Sequence, residues 1–139
     1  MTEPIAYTSG YKYQLEREYT VAVPELAGAV TEAHCAYLSL SADGRLIVRA
    51  GYAWDGPSGP AIDTANFMRG SLIHDALYQL IRRELLGSVW REPADRALQR
   101  ICREDGMWRV RAWWVYCGVR WGGGPSADPC HDKPILTAP

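Results

Sequence analysis

The sequence predicts an α+β fold: a small antiparallel β-sheet from the N-terminal half, packed on three helices and followed by an irregular C-terminal tail. Three observations carry this expectation. Apolar and polar residues alternate between Tyr11 and Val23, a turn signal at Asp43-Gly44 separates two apolar runs, and from residue 64 onward apolar residues recur at helical spacing. Strand signals come first and helix signals second.

In the first segment Tyr11, Tyr13, Leu15, Tyr19, Val21 and Val23 are apolar, while Lys12, Gln14, Glu16, Glu18 and Thr20 are polar. Period two predicts one strand, bent near Arg17 and ended by Pro24, with Leu26 to Thr31 as a connection. Ala36–Leu40 and Leu46–Ala50 then flank a hairpin turn. A loop of Ala42 to Gly44 sets Leu40 opposite Leu46, Leu38 opposite Val48 and Ala36 opposite Ala50, whereas a two-residue Asp-Gly loop would oppose Leu38 to Arg49. The second hairpin strand is expected to run on towards Trp54. The prolines and glycines of Gly51–Pro60 deny regular structure to most of the next segment. Helices are expected at about 64–85, 93–104 and 107–119, the third amphipathic and packed through Val110, Trp114 and Cys117. Residues 1–121 form one domain in this reading, and 122–139 an irregular tail.

Lys plus Arg number 15 and Asp plus Glu 16, with no basic block, so nucleic acid is not an expected partner. The arginines after residue 80 read as a solvated helical surface. No stretch approaches the ~20 apolar residues of a membrane span, and the N-terminal residues lack the basic and apolar regions of a secretory signal. The four cysteines show no Cys-x-x-Cys spacing, and the His34-Cys35 and Cys130-His131 doublets make a weak zinc pattern. A reduced, cytosolic protein is expected.

The chemistry concentrates in Ser71-Leu-Ile-His74-Asp75-Ala-Leu-Tyr78 and Glu92-Pro-Ala-Asp95-Arg-Ala-Leu98. Offsets of three and four stack Ser71, His74 and Tyr78 on one helix face, with Asp75 roughly 100° away. Asp95, Leu98 and Cys102 line one stripe of the next helix. Packed as an antiparallel hairpin, the two helices bring Asp95 to a ring nitrogen of His74, where it would fix the tautomer and raise the basicity. The same pair equally reads as a buried hydrogen bond that staples two helices. Ser58 and Ser71 lie outside Gly-x-Ser-x-Gly, Cys102 reads as core, and Trp54 reads as a lid over the helix pair.

Two resemblances add to this. Tyr52-Ala-Trp54-Asp55-Gly56-Pro-Ser58-Gly-Pro60, His74-Asp75-Ala-Leu77-Tyr78 and Ala94-Asp95-Arg96, in that order, resemble a family of uncharacterised small proteins of tailed phages and prophages. That resemblance implies a phage gene product acting in the host cytoplasm or the virion, with other phage proteins as possible partners. His74-Asp75-Ala-Leu-Tyr78 and Ala94-Asp95-Arg96 are also similar to the helix pair of secreted phospholipases A2. This second resemblance implies a catalytic group in which His74 is the base, Asp95 its orienting partner and Tyr78 a supporting hydrogen-bond donor. It further implies Ca2+ held by Asp75 and by the loop containing Asp55 and Gly56, and a small ester or lipid substrate. The chain departs from that family in lacking its cysteine framework and the Gly-x-Gly-Gly core of its loop, and in having Leu77 at a cysteine position. Two functions follow as expectations: calcium-assisted ester hydrolysis, or a non-catalytic phage virion, tail or assembly component in which the His–Asp pair is structural.

Overall fold

The computed structural model describes residues 7–8, 13–54 and 65–122. The α+β class is as expected. In chain order the elements are β1 (Tyr7–Thr8), β2 (Tyr13–Leu15), β3 (Tyr19–Ala22), β4 (Glu32–Cys35), β5 (Leu38–Ser41), β6 (Arg45–Val48), β7 (Ala53–Trp54), α1 (Ala65–Arg82), α2 (Arg91–Glu104) and α3 (Arg109–Gly122), with short 3-10 turns at Pro24–Leu26 and Ser88–Trp90. The strands form two antiparallel sheets rather than one, ordered β1-β2-β7 and β3-β6-β5-β4.

The division arises where the sequence predicts a bend. Glu16, Arg17 and Glu18 are three consecutive exposed residues that cannot alternate into a core, so the expected single strand breaks there. On one side β2 pairs with β7, and on the other β3 pairs with β6. The alternation itself survives the break, with Leu15, Tyr19 and Val23 all buried. Gly51, at φ +95°, interrupts the chain between β6 and β7, so the expected continuous strand to Trp54 is also two strands.

The β5–β6 hairpin has the expected register, with Leu40 opposite Leu46 and Leu38 opposite Val48. All four side chains are completely buried. Ala36 does not face Ala50: Ala36-Tyr37 is a tight turn into β5 from β4, which pairs Cys35 with Leu38. Strand β4 gives little sequence signal because Ala33 is its sole buried residue. At the other hairpin end Gly44 has φ +87°, and its carbonyl accepts from the Val23 amide at 2.8 Å.

Helix α1 runs through the centre and is buried on nearly all sides from Phe67 to Ile81, with Asp75 half-buried. Its sides meet the sheet residues Leu15, Leu38, Leu40 and Leu46 and the α2 residues Ala94, Ala97 and Ile101 in one hydrophobic cluster. A second cluster joins Phe67 of α1, Leu98 and Cys102 of α2, and Ala112 and Val115 of α3. The inward stripe of α3 is therefore Ala112 and Val115, and the expected packing through Val110, Trp114 and Cys117 is overturned. Val110 and Trp114 are exposed and Cys117 is partly so. The small Ala112 lets α3 approach α2, whereas an indole at that position would hold the helices apart.

Gly44→Ala should lower unfolding stability by about 1–3 kcal/mol, the usual cost of a left-handed backbone at a residue with Cβ. Relief by backbone movement is blocked, since an added Cβ would lie 2.4 Å from the Val23 carbonyl oxygen. Urea denaturation reads the loss, and a variant as stable as wild type would contradict this account of the turn.

Candidate active site

Gly70 sets the spacing of the helix pair. A Cβ there would lie 2.9 Å from both Cys102 Sγ and Leu98 Cδ1, so the missing side chain lets α1 and α2 approach closely. One and two turns further along α1 stand His74 and Tyr78. Because the helices run antiparallel, both meet Asp95, which lies before Leu98 and Cys102 on α2.

His74 Nε2 lies 2.6 Å from Asp95 Oδ1, and the Tyr78 hydroxyl donates to the same oxygen, also at 2.6 Å. Arg120 of α3 donates from Nη1 to Asp95 Oδ2 at 3.1 Å. The carboxylate is wholly buried, yet both oxygens are satisfied. Burial alone would raise its pKa, but the bonds from His74 and Tyr78, the nearby imidazole and the Arg120 bond together hold it below the usual carboxylate value. Burial and the Asp95 charge push the Tyr78 phenol upward, so it stays a neutral donor. An ionised carboxylate can only accept, so the His74 proton belongs on Nε2 and the neutral ring carries its lone pair on Nδ1. Asp95 is the hydrogen-bond partner of this ring among the described residues. The His74 and Tyr78 rings also stack at a tilt, with centroids 4.1 Å apart.

The structure thus brings together His74, Tyr78 and Asp95, as the helix spacing predicts, and adds Arg120. Sequence reasoning placed Arg120 on a solvated surface, and nothing in its local spacing distinguishes it from the neighbouring arginines. Arg69 was missed as well. It is buried, its Nε reaches both Asp105 oxygens at 3.0 and 3.2 Å, and it also donates to Tyr19 and Glu104. Its signal was a charge inside the apolar run Phe67-Met68-Arg69-Gly70. Ser71 is committed elsewhere, accepting from Trp54 Nε1 at 3.1 Å and donating to the Met68 carbonyl at 2.9 Å. Trp54 is the expected buried lid. Cys102 is core, its thiol pushed up to about 12 chiefly by burial.

Asp75 lies beside His74 in sequence and is half-buried. Asp55 and Gly56, the other expected metal ligands, lie outside the described residues. Calcium takes six to eight oxygens, and among the described residues no group of three or more His, Cys, Asp or Glu side chains is placed to hold a metal. Asp75 suits calcium in kind, but the described side chains do not make its shell. Cys35, Cys102 and Cys117 are free thiols, while Cys130 and His131 lie outside the described residues.

These features define an α+β protein with a buried His–Asp–Tyr–Arg cluster spanning three helices. A family model described as "Protein of unknown function (DUF1353)" matches residues 29–119, and the chain belongs to that family. The matched span includes His74, Asp75, Tyr78 and Asp95. No curated protein and no solved structure matches the chain. Among the described residues no helix is long and apolar enough to cross a membrane.

The lowered Asp95 pKa ties stability to acid pH. A carboxylate depressed in the folded state contributes fully above its unfolded value, near 4, and that contribution fades as pH falls through the folded value. Asp95→Asn should therefore be less stable than wild type at pH 7, with the difference narrowing below pH ~4. Urea midpoints measured across that range check this, and a difference independent of pH would contradict an ionised Asp95.

Proposed function

We propose that His74 is the general base of a water-activating ester hydrolase, with Asp95 as its positioning partner. The supporting observation is the 2.6 Å contact between His74 Nε2 and a buried Asp95 oxygen that Tyr78 also grips. This arrangement leaves Nδ1 as the basic atom and lets Asp95 stabilise the imidazolium that forms. Nδ1 takes a proton from water, the water oxygen adds to the ester carbonyl carbon, and the bond to the alkoxy oxygen then breaks. The proton returns from Nδ1 to the departing alcohol, leaving acid, alcohol and neutral His74. No protein nucleophile is required, in keeping with the engagement of Ser71 by Trp54 and Met68.

In this reading Asp75, Asp55 and Gly56 belong to a calcium site. When bound, the ion would supply charge stabilisation for the carbonyl oxygen. The substrate class is a small ester or a lipid. The motif resemblance further supports a place among proteins of tailed phages and prophages, working in the host cytoplasm or the virion.

A second reading is favoured by a specific observation: Asp95 is completely buried, and its partners come from α1 and α3. The cluster would then staple three helices in a non-catalytic virion or assembly component. His74→Gln separates the two readings. Under the hydrolase reading, phospholipid or other ester turnover is abolished in a variant that still folds at the assay temperature. Under the second, stability falls by about 1–3 kcal/mol and the wild type has no activity to lose. The calcium site has its own test in calorimetric titration. Saturable binding lost in Asp75→Asn is expected, and no binding up to millimolar calcium would remove the metal from the proposal.

A further inference from the structure

Helix α3 has two apolar faces. Ala112 and Val115 point into the core, with Val119 packed beside them. At roughly 100° per residue, Val110, Trp113, Trp114, Cys117 and Trp121 gather on the opposite side. Trp113 is 57% exposed, Trp114 58%, Val110 77% and Trp121 93%, and Trp108, just ahead of the helix, is 82% exposed. A surface helix ordinarily turns a polar face to water. An outward stripe of indoles is instead the composition of an interaction surface.

Charge identifies the partner. Helix α3 carries Arg109, Arg111 and Arg120 and no carboxylate. Beside Val110 and Trp113, an open groove of about 850 Å³ is lined by Arg96, Arg100, Arg103 and Arg109, with Glu25 as its acidic wall. Arg96 is paired with Glu92, and Arg100 with Glu25 and Glu104. Arg103 donates to the Met107 carbonyl, and among the described residues Arg109 has no carboxylate partner. Unneutralised guanidinium groups therefore flank the tryptophans. Indole rings with an apolar body and one N–H donor, bordered by arginine, suit the headgroup level of a bilayer.

We propose that the outer face of α3 docks on an anionic phospholipid surface, with Trp113, Trp114 and Trp121 among the headgroups and Arg103, Arg109 and Arg111 facing phosphates. Charge argues against a second copy as the occupant, because symmetric pairing of two α3 helices would set arginine against arginine. The formal net charge of −1 and the absence of a basic block in the sequence argue against a nucleic acid. The proposal does not rest on the hydrolase reading. Arg120 is turned inward to Asp95, so docking requires neither His74 nor turnover.

Vesicle flotation of the full chain tests it, comparing phosphatidylcholine alone with equal parts phosphatidylcholine and phosphatidylglycerol. Binding to the anionic vesicles is expected, with a blue shift of tryptophan emission and weakening in added salt. Trp113→Ser/Trp114→Ser/Trp121→Ser should abolish binding while keeping the wild-type melting temperature, because these indoles are exposed. Arg109→Gln/Arg111→Gln should weaken it by about thirtyfold, and provides the test should the tryptophan variant fail to fold. His74→Gln should bind like wild type whether or not the wild type hydrolyses anything. Absence of binding to anionic vesicles, or binding indifferent to both variants, would overturn the proposal. So would a dimer that the tryptophan variant converts to monomer, or capture of single-stranded nucleic acid in place of vesicles.

Discussion

The fully buried carboxylate of Asp95 is the constraint around which the helical layer is organised. An ion of that kind is tolerated only when donors replace the water it has lost. Here the donors come from other helices: His74 and Tyr78 from α1 and Arg120 from α3. Each helix must hold its place for the charge to remain satisfied. Removing the Arg120 charge would leave the buried carboxylate without its ion-pair partner, which typically costs about 3–5 kcal/mol, far more than a surface ion pair contributes. The same electrostatics that fix the helices also fix the imidazole tautomer, so structural and chemical roles share one set of bonds.

Packing makes that arrangement reachable. Gly70 removes the side chain that would otherwise meet Leu98 and Cys102, and Ala94 and Ala97 keep the α2 surface low beside Asp95. At one end of the helix pair, buried Arg69 ties α1 to Glu104 and Asp105 at the end of α2 and to Tyr19 of β3. Those acidic partners outweigh the burial that would otherwise lower its pKa, so the guanidinium stays charged. Two polar clusters thus pin the two-helix unit at separate points, with a continuous apolar seam between them. Helix α3 has a double allegiance: Arg120 reaches inward to Asp95, while its tryptophans face outward where we place a lipid surface.

Local patterns in the sequence were sufficient for much of this. Period two located the residues of β2 and β3, the turn signal at Asp43-Gly44 located the β5–β6 hairpin, and the choice of a three-residue loop predicted the Leu40–Leu46 register. Helical spacing put His74 and Tyr78 on one face, and the Pro93 start of the next helix put Asp95 within reach. What escaped depended on tertiary context. Two sheets cannot be told from one bent strand when the alternation continues across the break at Glu16–Glu18. Strand β4 buries too little to register as periodic. In α3 both faces are apolar, so sequence alone could not choose which was the core; the small residues Ala112 and Val115 won over the indoles because α2 lies too close for a tryptophan. Arg120 and Arg69 look like surface arginines until the fold supplies their acidic partners. Asp55 and Gly56 lie outside the described residues, so the expected calcium ligands rest on resemblance.

One proton decides the chemistry of the cluster: an ionised Asp95 must hold it on His74 Nε2 and leave Nδ1 basic. Long-range proton–nitrogen correlation spectra of the imidazole, assigned by comparison with His74→Gln, read this directly at pH above the imidazole transition. The predicted result is a protonated Nε2 and an unprotonated Nδ1 in wild type. A His74 ring protonated on Nδ1 alone, with Nε2 bare against the carboxylate, would contradict the account, because the 2.6 Å contact could then not be a bond to an ionised Asp95.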